Sequence, residues 1–345
     1  MDIKDGIKKV LEGKNLSAEE ARIVMGEIMS GQASPEQIAA FLVGLRMKGE
    51  TIAEITEFAR VMRGKANQIK CRVPIVVDTC GTGGDGKHTF NISTVATFIV
   101  AGTGLVVAKH GNRSVSSRCG SADVLEFLGA KIDLPPKKVE KCLDEIGVGF
   151  LFAPVFHPAM KYATPVRRAI GVRTVFNILG PLTNPAGARR QLLGVFSRQW
   201  VHPLAQVLGN LGSEHVFVMH SEDGLDEVTT TGKTWISEWA SGEVKDFFVE
   251  PEEFGMPKAT LEELQGTDVE KNAQILLDIL GGEKSPRRDI AVLNAAFAIC
   301  AGKQTEAVAG QKGKIKEYIL LAEQAIDSGK ALKKLNQLKE YSNRK

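Results

Sequence analysis

Residues 73–91 read VPIVVDTCGTGGDGKHTFN, an apolar run followed by a turn that contains four glycines. A short apolar run bounded by turn residues predicts a buried strand of a parallel sheet. The residues after the turn, 93–101, read STVATFIVA and predict a helix. A glycine-rich turn between a strand and a helix offers backbone N–H groups and a helix N-terminus to an anion. This stretch therefore predicts an α/β domain with a phosphate-binding loop.

Outward from this stretch, strand and helix patterns alternate along the chain. Short apolar runs recur at 105–111, 191–197 and 215–221. Because such alternation is typical of an α/β domain, we expect a large α/β domain with a central, mainly parallel sheet. The predicted helices of this domain cover 93–101, 122–128, 137–146 and 200–211.

The first 70 residues carry helix signals only. Capping boxes, in which a Ser or Thr is followed three residues later by Glu or Gln, predict three helix starts. We expect a small helical domain over residues 1–70 and the α/β domain over 71–345. Segment 164–185 is basic and then rich in Asn, Gly and Pro, which predicts a connector, and part of 164–190 is expected to join the helical domain. The three boxes are Ser17 with Glu20, Ser34 with Gln37, and Thr51 with Glu54.

Composition argues against several classes of protein. The 345 residues include 44 basic and 41 acidic side chains, a net charge of +3, which is too balanced for a protein that coats nucleic acid. The longest apolar stretch, 95–108, is shorter than the ~20 residues of a membrane span. The N-terminus lacks the apolar block of a signal peptide, so we expect a cytoplasmic protein. Five cysteines without a CxxC pair indicate neither a disulfide framework nor a zinc site.

Two well-known nucleotide-binding patterns almost fit the glycine turn. The segment from Gly81 to Gly86 satisfies GxGxxG, but the dinucleotide-binding motif needs an acidic residue after the next strand, where this chain has Lys109 and His110. The segment from Gly81 to Lys87 satisfies GxxxxGK, yet His88 stands where a P-loop needs a Ser or Thr hydroxyl for magnesium. The turn is therefore expected to bind phosphate in some other class of protein.

A second polar cluster, KHGNRSVSSRCGSAD at 109–123, follows the next predicted strand. Its Lys109, Arg113, Ser116 and Ser117 could also bind phosphate. Ligands of open α/β sheets bind in the crevice at the carboxyl ends of the strands. Two such loops side by side predict a ligand with two separated phosphate groups.

Several motifs stand in a fixed order along the chain: GTGGDG, FNIST, AKHGNR, GSAD, NILGPLTNP and LDE. In this order and over nearly the whole chain, the sequence resembles the anthranilate phosphoribosyltransferases. The resemblance implies a helical domain joined to an α/β domain of the nucleoside phosphorylase type, in a homodimer. It implies transfer of the phosphoribosyl group of phosphoribosyl pyrophosphate (PRPP) to the amine of anthranilate, with Mg²⁺ as cofactor, in tryptophan biosynthesis.

The resemblance also implies which residues form the site. Residues 81–94 and 109–121 supply the PRPP contacts, and Arg167 supplies a cation for the anthranilate carboxylate. Arg168 and Arg173 are adjacent alternatives to Arg167, and Asp226 with Glu227 would on sequence alone fit a solvated acidic turn equally well. No residue is assigned as a general base, because the arylamine is already neutral at pH 7 and positioning could suffice.

The implied PRPP contacts are Gly81, Gly84, Asp85, Thr89, Asn91, Ile92, Ser93, Thr94, Lys109, His110, Gly111, Asn112, Arg113, Ser114, Val115, Ser116, Ser117 and Ser121. The implied anthranilate contacts are Gly81, Asn112, Arg167, His110 and His157. The implied magnesium ligands are Ser93, Asp226 and Glu227.

Two alternative functions compete with this interpretation. A pyrimidine nucleoside phosphorylase shares the architecture, but it handles one phosphate and would leave Asp226 and Glu227 without a task. A paralogue that binds nucleic acid would need a strong basic stripe, which a net charge of +3 does not favour. We therefore expect small-molecule substrates, with neither a nucleic acid nor a membrane as partner.

Overall fold

The computed structural model describes residues 1–114 and 119–344. Its N-terminal part is a bundle of four helices whose starts are fixed by capping boxes. Ser17, Ser34 and Thr51 each accept a hydrogen bond from the backbone N–H three residues on, which confirms the three predicted starts. A further box, Asp2 with Asp5, opens the first helix. The helices are α1 (Ile3–Leu11), α2 (Ala18–Ser30), α3 (Pro35–Lys48) and α4 (Ile52–Lys65).

Seven strands of the described residues form one sheet in the order β3-β2-β1-β4-β5-β6-β7. The first five strands in this order run parallel, and β6 and β7 join antiparallel. The predicted fold class, a helical bundle with a mainly parallel α/β sheet, is confirmed. The strands are β1 (Val76–Gly81), β2 (Val106–Gly111), β3 (Val148–Phe152), β4 (Arg190–Gly194), β5 (His215–Ser221), β6 (Thr234–Ala240) and β7 (Glu243–Val249).

Helices cover both faces of the sheet. On β4, Leu192 joins a core with helices α5 (Ile92–Gly102) and α13 (Pro286–Lys303), whereas Leu193 joins a core with the N-terminal bundle. A strand buried on both faces explains why these runs are apolar throughout rather than alternating. The remaining helices are α5 (Ile92–Gly102), α6 (Ser121–Phe127), α7 (Pro136–Ile146), α8 (Ala153–Phe156), α9 (Thr164–Ile170), α10 (Phe176–Leu179), α11 (Val201–Asn210), α12 (Val269–Leu280), α13 (Pro286–Lys303), α14 (Lys312–Asp327) and α15 (Lys330–Asn343).

Segment 164–185, predicted as a connector, is instead packed into the core. It forms α9, α10 and a 3-10 turn, and Val166, Phe176 and Leu179 are buried. Gly171, Gly180 and Asn184 follow the last residues of these short helices, and two of the prolines lie in first turns. The apolar residues between them pack against α3 and α4. The division into domains of 1–70 and 71–345 stays a prediction, because one core contains residues of the bundle, of this segment and of β4 and β5.

The strand order places a crevice beside β1. The chain moves outward from β1 to β2 and β3, then returns to place β4 on the other side of β1. The loops that leave β1 and β4 therefore diverge, and this topological switch point is where open α/β sheets bind ligands. Among the described residues no helix is long and apolar enough to cross a bilayer.

Candidate active site

The glycine loop after β1 is held by its backbone. Thr82 N–H donates to the Gly194 carbonyl at 2.8 Å, and Gly83 N–H donates to Asp226 Oδ2 at 2.9 Å. Gly83, Gly84 and Gly86 have φ of 62°, 76° and 72°, a left-handed conformation that favours glycine. The loop is thus shaped by residues without side chains, which leaves its backbone open to a ligand.

Asp226 lies across the ends of β1 and β4. A Cβ atom on Gly81 would lie 2.6 Å from Asp226 Oδ2, and one on Gly194 would lie 1.6 Å from the Asp226 carbonyl oxygen. Only glycine at these two strand ends allows the loop after β5 to approach so closely. The structure therefore brings the predicted acidic pair to the predicted glycine loop.

Asp226, Glu227 and Asp85 form an acidic cluster at this point. Burial and the negative charge of Asp85 raise the pKa of Asp226 to about 7. Burial and Asp226 raise the pKa of Glu227 well above its ordinary value, and burial with the charge of Asp223 raises the pKa of Asp85. These three groups disfavour one another's charge, and a bound cation would relieve that repulsion.

The donor set fits a magnesium ion. Ser93 N–H donates to Glu227, and Lys109 Nζ donates to Ser93 Oγ at 3.2 Å, so Ser93 lies beside the acidic cluster. Mg²⁺ prefers oxygen ligands and is commonly held by one or two carboxylates, water and substrate phosphates. In the described part of the chain no three His, Cys, Asp or Glu side chains converge as a preformed metal cage. An ion here would complete its coordination with hydroxyl, water or phosphate oxygens.

Lys109 is buried between the first two strands. Its ammonium group donates to the Thr79 carbonyl at 2.6 Å as well as to Ser93, and burial lowers its pKa. In this position Lys109 is the cation that faces the acidic cluster and the start of α5. Its charge partly offsets that of Asp226 and Glu227.

The N-terminus of α5 offers further donors. Asn91 is the N-cap residue but makes no side-chain cap bond, and Thr94 Oγ1 is buried without a hydrogen-bond partner. Asn91 Nδ2 instead donates to the Cys119 carbonyl, and its Oδ1 accepts from Asn272 Nδ2 at 3.2 Å. The predicted residues Asn91 to Thr94 therefore form the first turn of α5, which has no side-chain cap. Its Ser93 N–H donates to Glu227 and its Thr94 N–H to the Asn91 carbonyl, so the Thr94 hydroxyl is the group of this turn that a ligand could engage.

Segment 264–266 contacts the same loop and was not predicted from the sequence. Phe90 N–H donates to the Leu264 carbonyl at 3.2 Å, Gly266 N–H donates to the His88 carbonyl at 2.9 Å, and Thr89 pairs with Gln265. These contacts fix the residues that precede α5. The segment precedes α12 and carries no motif, so no sequence signal pointed to it.

Of the second polar cluster, residues 109–123, the structure describes 109–114 and 119–123. Arg113 forms ion pairs with Asp123 at 3.0 Å and Glu126 at 2.7 Å, so the structure directs its guanidinium to α6. Ser121 Oγ donates to the Asn112 carbonyl at 3.4 Å, and a Cβ on Gly111 would lie 2.4 Å from Ser121 Oγ. Ser114 N–H donates to Asp123 Oδ2 at 3.2 Å. Predicted residues Val115, Ser116 and Ser117 lie outside the described residues.

His110 and His157 form a buried pair. Their Nε2 atoms are 3.2 Å apart, and the His110 ring also donates to the Gly180 carbonyl. Burial lowers the pKa of His110 to about 3 and that of His157 to about 4. Both rings are therefore neutral at pH 7, with one Nε2 donating and the other accepting. The buried Asp78 carboxylate accepts His110 N–H at 3.2 Å and fixes the backbone of this pair.

The three candidate arginines lie in different environments. Arg167 on α9 is half-buried, its guanidinium lies 5.5 Å from the ring of Phe176, and it pairs with no acid of the described chain. Burial lowers the pKa of Arg167. Arg168 and Arg173 are both exposed, and Arg173 donates to the Gly84 carbonyl. Of the three, Arg167 alone combines burial with a charge that no described acid neutralises.

Comparison with known proteins assigns the family. A model described as "Glycosyl transferase family, a/b domain" matches residues 73–332, and one described as "Glycosyl transferase family, helical bundle domain" matches residues 4–66. The chain belongs to this glycosyl transferase family.

Curated relatives match it along almost their whole length. The anthranilate phosphoribosyltransferase of Moorella thermoacetica is 54% identical over 333 residues, 96% of each chain, and that of Thermoanaerobacter sp. is 51% identical over 342 residues, 99% of each chain.

Solved structures share the fold as well. The anthranilate phosphoribosyltransferase of Thermus thermophilus is similar with a TM-score of 0.90 and 42% identity, over 99% of this chain and 100% of that one. The enzyme from Saccharomyces cerevisiae in complex with PRPP and Mg is similar with a TM-score of 0.88 and 29% identity, over 99% of this chain and 97% of that one. The resemblance stated from the sequence motifs is thereby confirmed.

Proposed function

We propose that this protein transfers the phosphoribosyl group of PRPP to the amine of anthranilate, giving N-(5-phosphoribosyl)anthranilate and pyrophosphate, a step of tryptophan biosynthesis. The observation that carries the proposal is the approach of Asp226 to Gly81 and Gly83, which joins a phosphate-binding backbone to an acidic cluster. Relatives named anthranilate phosphoribosyltransferase, which are 54% and 51% identical to this chain over almost their whole length, support the same conclusion.

The donor side would bind the phosphates of PRPP through backbone N–H groups. Breaking the bond between the anomeric carbon and pyrophosphate leaves an oxocarbenium-like sugar and develops negative charge on the leaving group. Fixed donors aimed at that charge stabilise the transition state without reorganisation. We assign this task to the glycine loop, to Asn91, Ser93 and Thr94 at the start of α5, and to Lys109, together with the other PRPP contacts inferred from the sequence.

The acidic cluster would hold the metal. We propose that Ser93, Asp226 and Glu227 bind Mg²⁺, which when bound neutralises charge on the pyrophosphate leaving group. The raised pKa values of Asp226 and Glu227, caused first by burial and then by neighbouring carboxylates, support this assignment, because a bound cation would stabilise the charged forms that the site otherwise disfavours. A relative from Saccharomyces cerevisiae in complex with PRPP and Mg supports it further.

The acceptor side would bind anthranilate between Arg167 and the histidine pair. A guanidinium can donate two parallel hydrogen bonds to one carboxylate. Because Arg167 is half-buried, its hydrogen bonds to the anthranilate carboxylate would be stronger than those of an exposed arginine. His110 and His157 are neutral, so they present an uncharged polar surface to an aromatic amine. Asn112 and Gly81 complete the proposed contacts. The amine attacks as the free base, so none of these residues needs to remove a proton first.

We also propose that the protein is a cytoplasmic homodimer. Leu11 on α1 and Val43 and Met47 on α3 are exposed to 67%, 37% and 82%. Apolar side chains grouped on adjacent helices support a partner at this face, because monomers rarely expose such patches. Sedimentation of the wild-type chain and of Val43→Asp/Met47→Asp tests this, since the variant is expected to sediment as a monomer.

The test of the proposed function is the loss of anthranilate fluorescence when the protein is mixed with anthranilate, PRPP and Mg²⁺. A decrease that releases pyrophosphate and stops with EDTA is expected. Phosphorolysis of a pyrimidine nucleoside without a change in anthranilate would favour the phosphorylase alternative. Binding of DNA with a log-log salt slope of about −0.9 per phosphate contact, and of neither substrate, would favour the nucleic-acid alternative.

A further inference from the structure

Arg173 joins three parts of the molecule. It lies between α9 and α10, and its Nη2 donates to the Gly84 carbonyl in the glycine loop. Its guanidinium lies 4.2 Å from the centre of the Phe196 ring, and its own carbonyl accepts from Arg46 Nη1 of α3 at 2.5 Å. The residue therefore connects the helical bundle, the segment that carries Arg167, and the loop that faces PRPP in the proposed function.

The contact with Gly84 fixes a peptide plane rather than a side chain. In a trans peptide the carbonyl oxygen and the following N–H point in opposite directions. A donor that holds the Gly84 carbonyl thus sets the direction of the Asp85 N–H, a group available to phosphate. The Thr82–Gly83 peptide, two peptides earlier, is fixed separately, because Gly83 N–H donates to Asp226 Oδ2. Gly84, with φ of 76°, has no side chain to restrict its own rotation.

The position of Arg173 is itself determined by its neighbours. Phe196, on which the guanidinium stacks, donates its N–H to Thr82 Oγ1 at 2.9 Å and so belongs to the same loop assembly. Stacking of a guanidinium on an aromatic ring combines cation–π attraction with a fixed orientation of the N–H groups. Arg173 forms no ion pair with an acid of the described residues. Its positive charge therefore stays beside the glycine loop, which is the proposed PRPP site.

We propose that Arg173 is a positioning residue, which fixes the Gly84–Asp85 peptide for PRPP and couples the glycine loop to the helical bundle through Arg46. This inference rests on the proposed function and deepens it. It separates the roles of two nearby arginines, since Arg167 serves the acceptor and Arg173 serves the donor. The structure thereby links donor affinity to a residue of the helical bundle that lies outside the PRPP site.

The test compares Arg173→Ala with Arg173→Lys and with Arg168→Ala, a matched control on α9 that removes the same charge from an exposed position. PRPP binding is measured by calorimetry without anthranilate, and KM is measured for each substrate. Arg173→Ala is expected to weaken PRPP binding about 10-fold or more, as expected for a lost hydrogen bond from a charged donor, with the KM of anthranilate within about twofold. Arg173→Lys should recover part of the affinity, and Arg168→Ala should match the wild type.

Arg46→Ala tests the coupling. It is expected to weaken PRPP binding less than Arg173→Ala, and the double variant should bind no more weakly than Arg173→Ala alone, because the two side chains act through one contact chain. Equal losses in Arg173→Ala and Arg168→Ala, or a lower Tm with PRPP affinity intact, would overturn the inference. Failure of the wild-type protein to bind PRPP would overturn the proposed function itself, so the two failures are distinguishable.

Discussion

The acidic cluster and the histidine pair both bring like ionisable groups together, and burial shifts both toward the neutral form, but their surroundings differ. Burial and neighbouring carboxylates raise the pKa values of Asp226 and Glu227, while the charge of Lys109 lies close enough to favour their ionised forms. His110 and His157 have lowered pKa values and become a neutral, hydrogen-bonded pair. The difference supports the proposal that a cation and phosphates bind at the acidic cluster, whereas the proposed acceptor side holds a neutral pair and the charge of Arg167.

The strongest way to break this contrast is to remove the charge of the acidic cluster. The double variant Asp226→Asn/Glu227→Gln is expected to lower turnover by about 100-fold or more and to raise the Mg²⁺ concentration that gives half-maximal rate. The same variant is expected to unfold at a higher temperature without metal, because it no longer buries repelling carboxylates. Titration of activity with Mg²⁺ and thermal unfolding in EDTA measure both effects. An unchanged Mg²⁺ dependence would exclude the pair as ligands.

A second variant isolates the one charge on the acceptor side. Arg167→Ala is expected to raise the KM of anthranilate by about 10- to 100-fold, since a carboxylate loses its charged partner, while the KM of PRPP changes little. Arg168→Ala serves as the control because it removes a charge one residue away on the exposed face of α9. Steady-state kinetics in both substrates give the comparison. Equal increases in both KM values would place Arg167 elsewhere in the mechanism.

The two clusters should also affect stability in opposite directions with pH. Between pH 3.8 and about 7 the folded protein keeps the Asp226 proton that the unfolded chain has lost, so this group lowers stability as pH rises through that range. Between pH 6.5 and about 4 the unfolded chain binds a proton at His157 that the folded protein does not, so stability falls as pH falls. Unfolding from pH 4.5 to 8 in EDTA should show a steeper acid decline in Asp226→Asn and a shallower one in His157→Gln. Parallel curves for the three proteins would contradict both shifts.

The smallest expected effect concerns one hydroxyl group. Thr94 Oγ1 is buried without a partner, so Thr94→Val should stabilise the protein by up to about 1 kcal/mol and weaken PRPP binding severalfold. Thr97, one turn further along α5, is a matched control, because its hydroxyl bonds Thr79 Oγ1 at 2.7 Å and the Ser93 carbonyl at 2.9 Å. Thr97→Val should therefore destabilise the protein. Denaturant unfolding and PRPP calorimetry measure the pair, and a loss of stability in Thr94→Val would disprove the assignment.

The sequence predicted those parts of the fold whose signals are local. The boxes at Ser17, Ser34 and Thr51 gave helix starts to the residue, because a side chain and a backbone N–H three residues apart decide them. The box at Asp2 was missed because its partner, Asp5, is not the Glu or Gln of the usual pattern. Strands β3, β6 and β7 were missed as well. Two of these, β6 and β7, form a hairpin around the two-residue turn of Ser241 and Gly242, which have φ of 54° and 88°, and this local signal was overlooked.

The candidate site divides in the same way. The glycine loop could be predicted because its residues are consecutive, and the acidic pair at 226–227 could be reached only through the family resemblance. The contacts of Arg173 with Gly84 and of Gly266 with His88 join residues far apart in the chain, so composition and spacing did not reveal them. Arg113 shows that consecutive residues can also suggest a contact that the fold directs elsewhere. Its sequence neighbours suggest phosphate, but Asp123 and Glu126 on α6 engage its guanidinium.

The pairing of β1 with β4 has a consequence for how the protein reaches its active form. Val77 pairs with Arg190 and Gly81 with Gly194, so this ladder forms only after the long intervening chain has folded back. Contacts between residues distant in the chain form slowly, because the entropy of loop closure opposes them before any contact is made. The capped helices of the bundle need no such closure. During refolding, the helical circular dichroism signal should therefore recover before PRPP binding. The delay between the two would be caused by the order of the strands in the sheet and not by the residues of the active site.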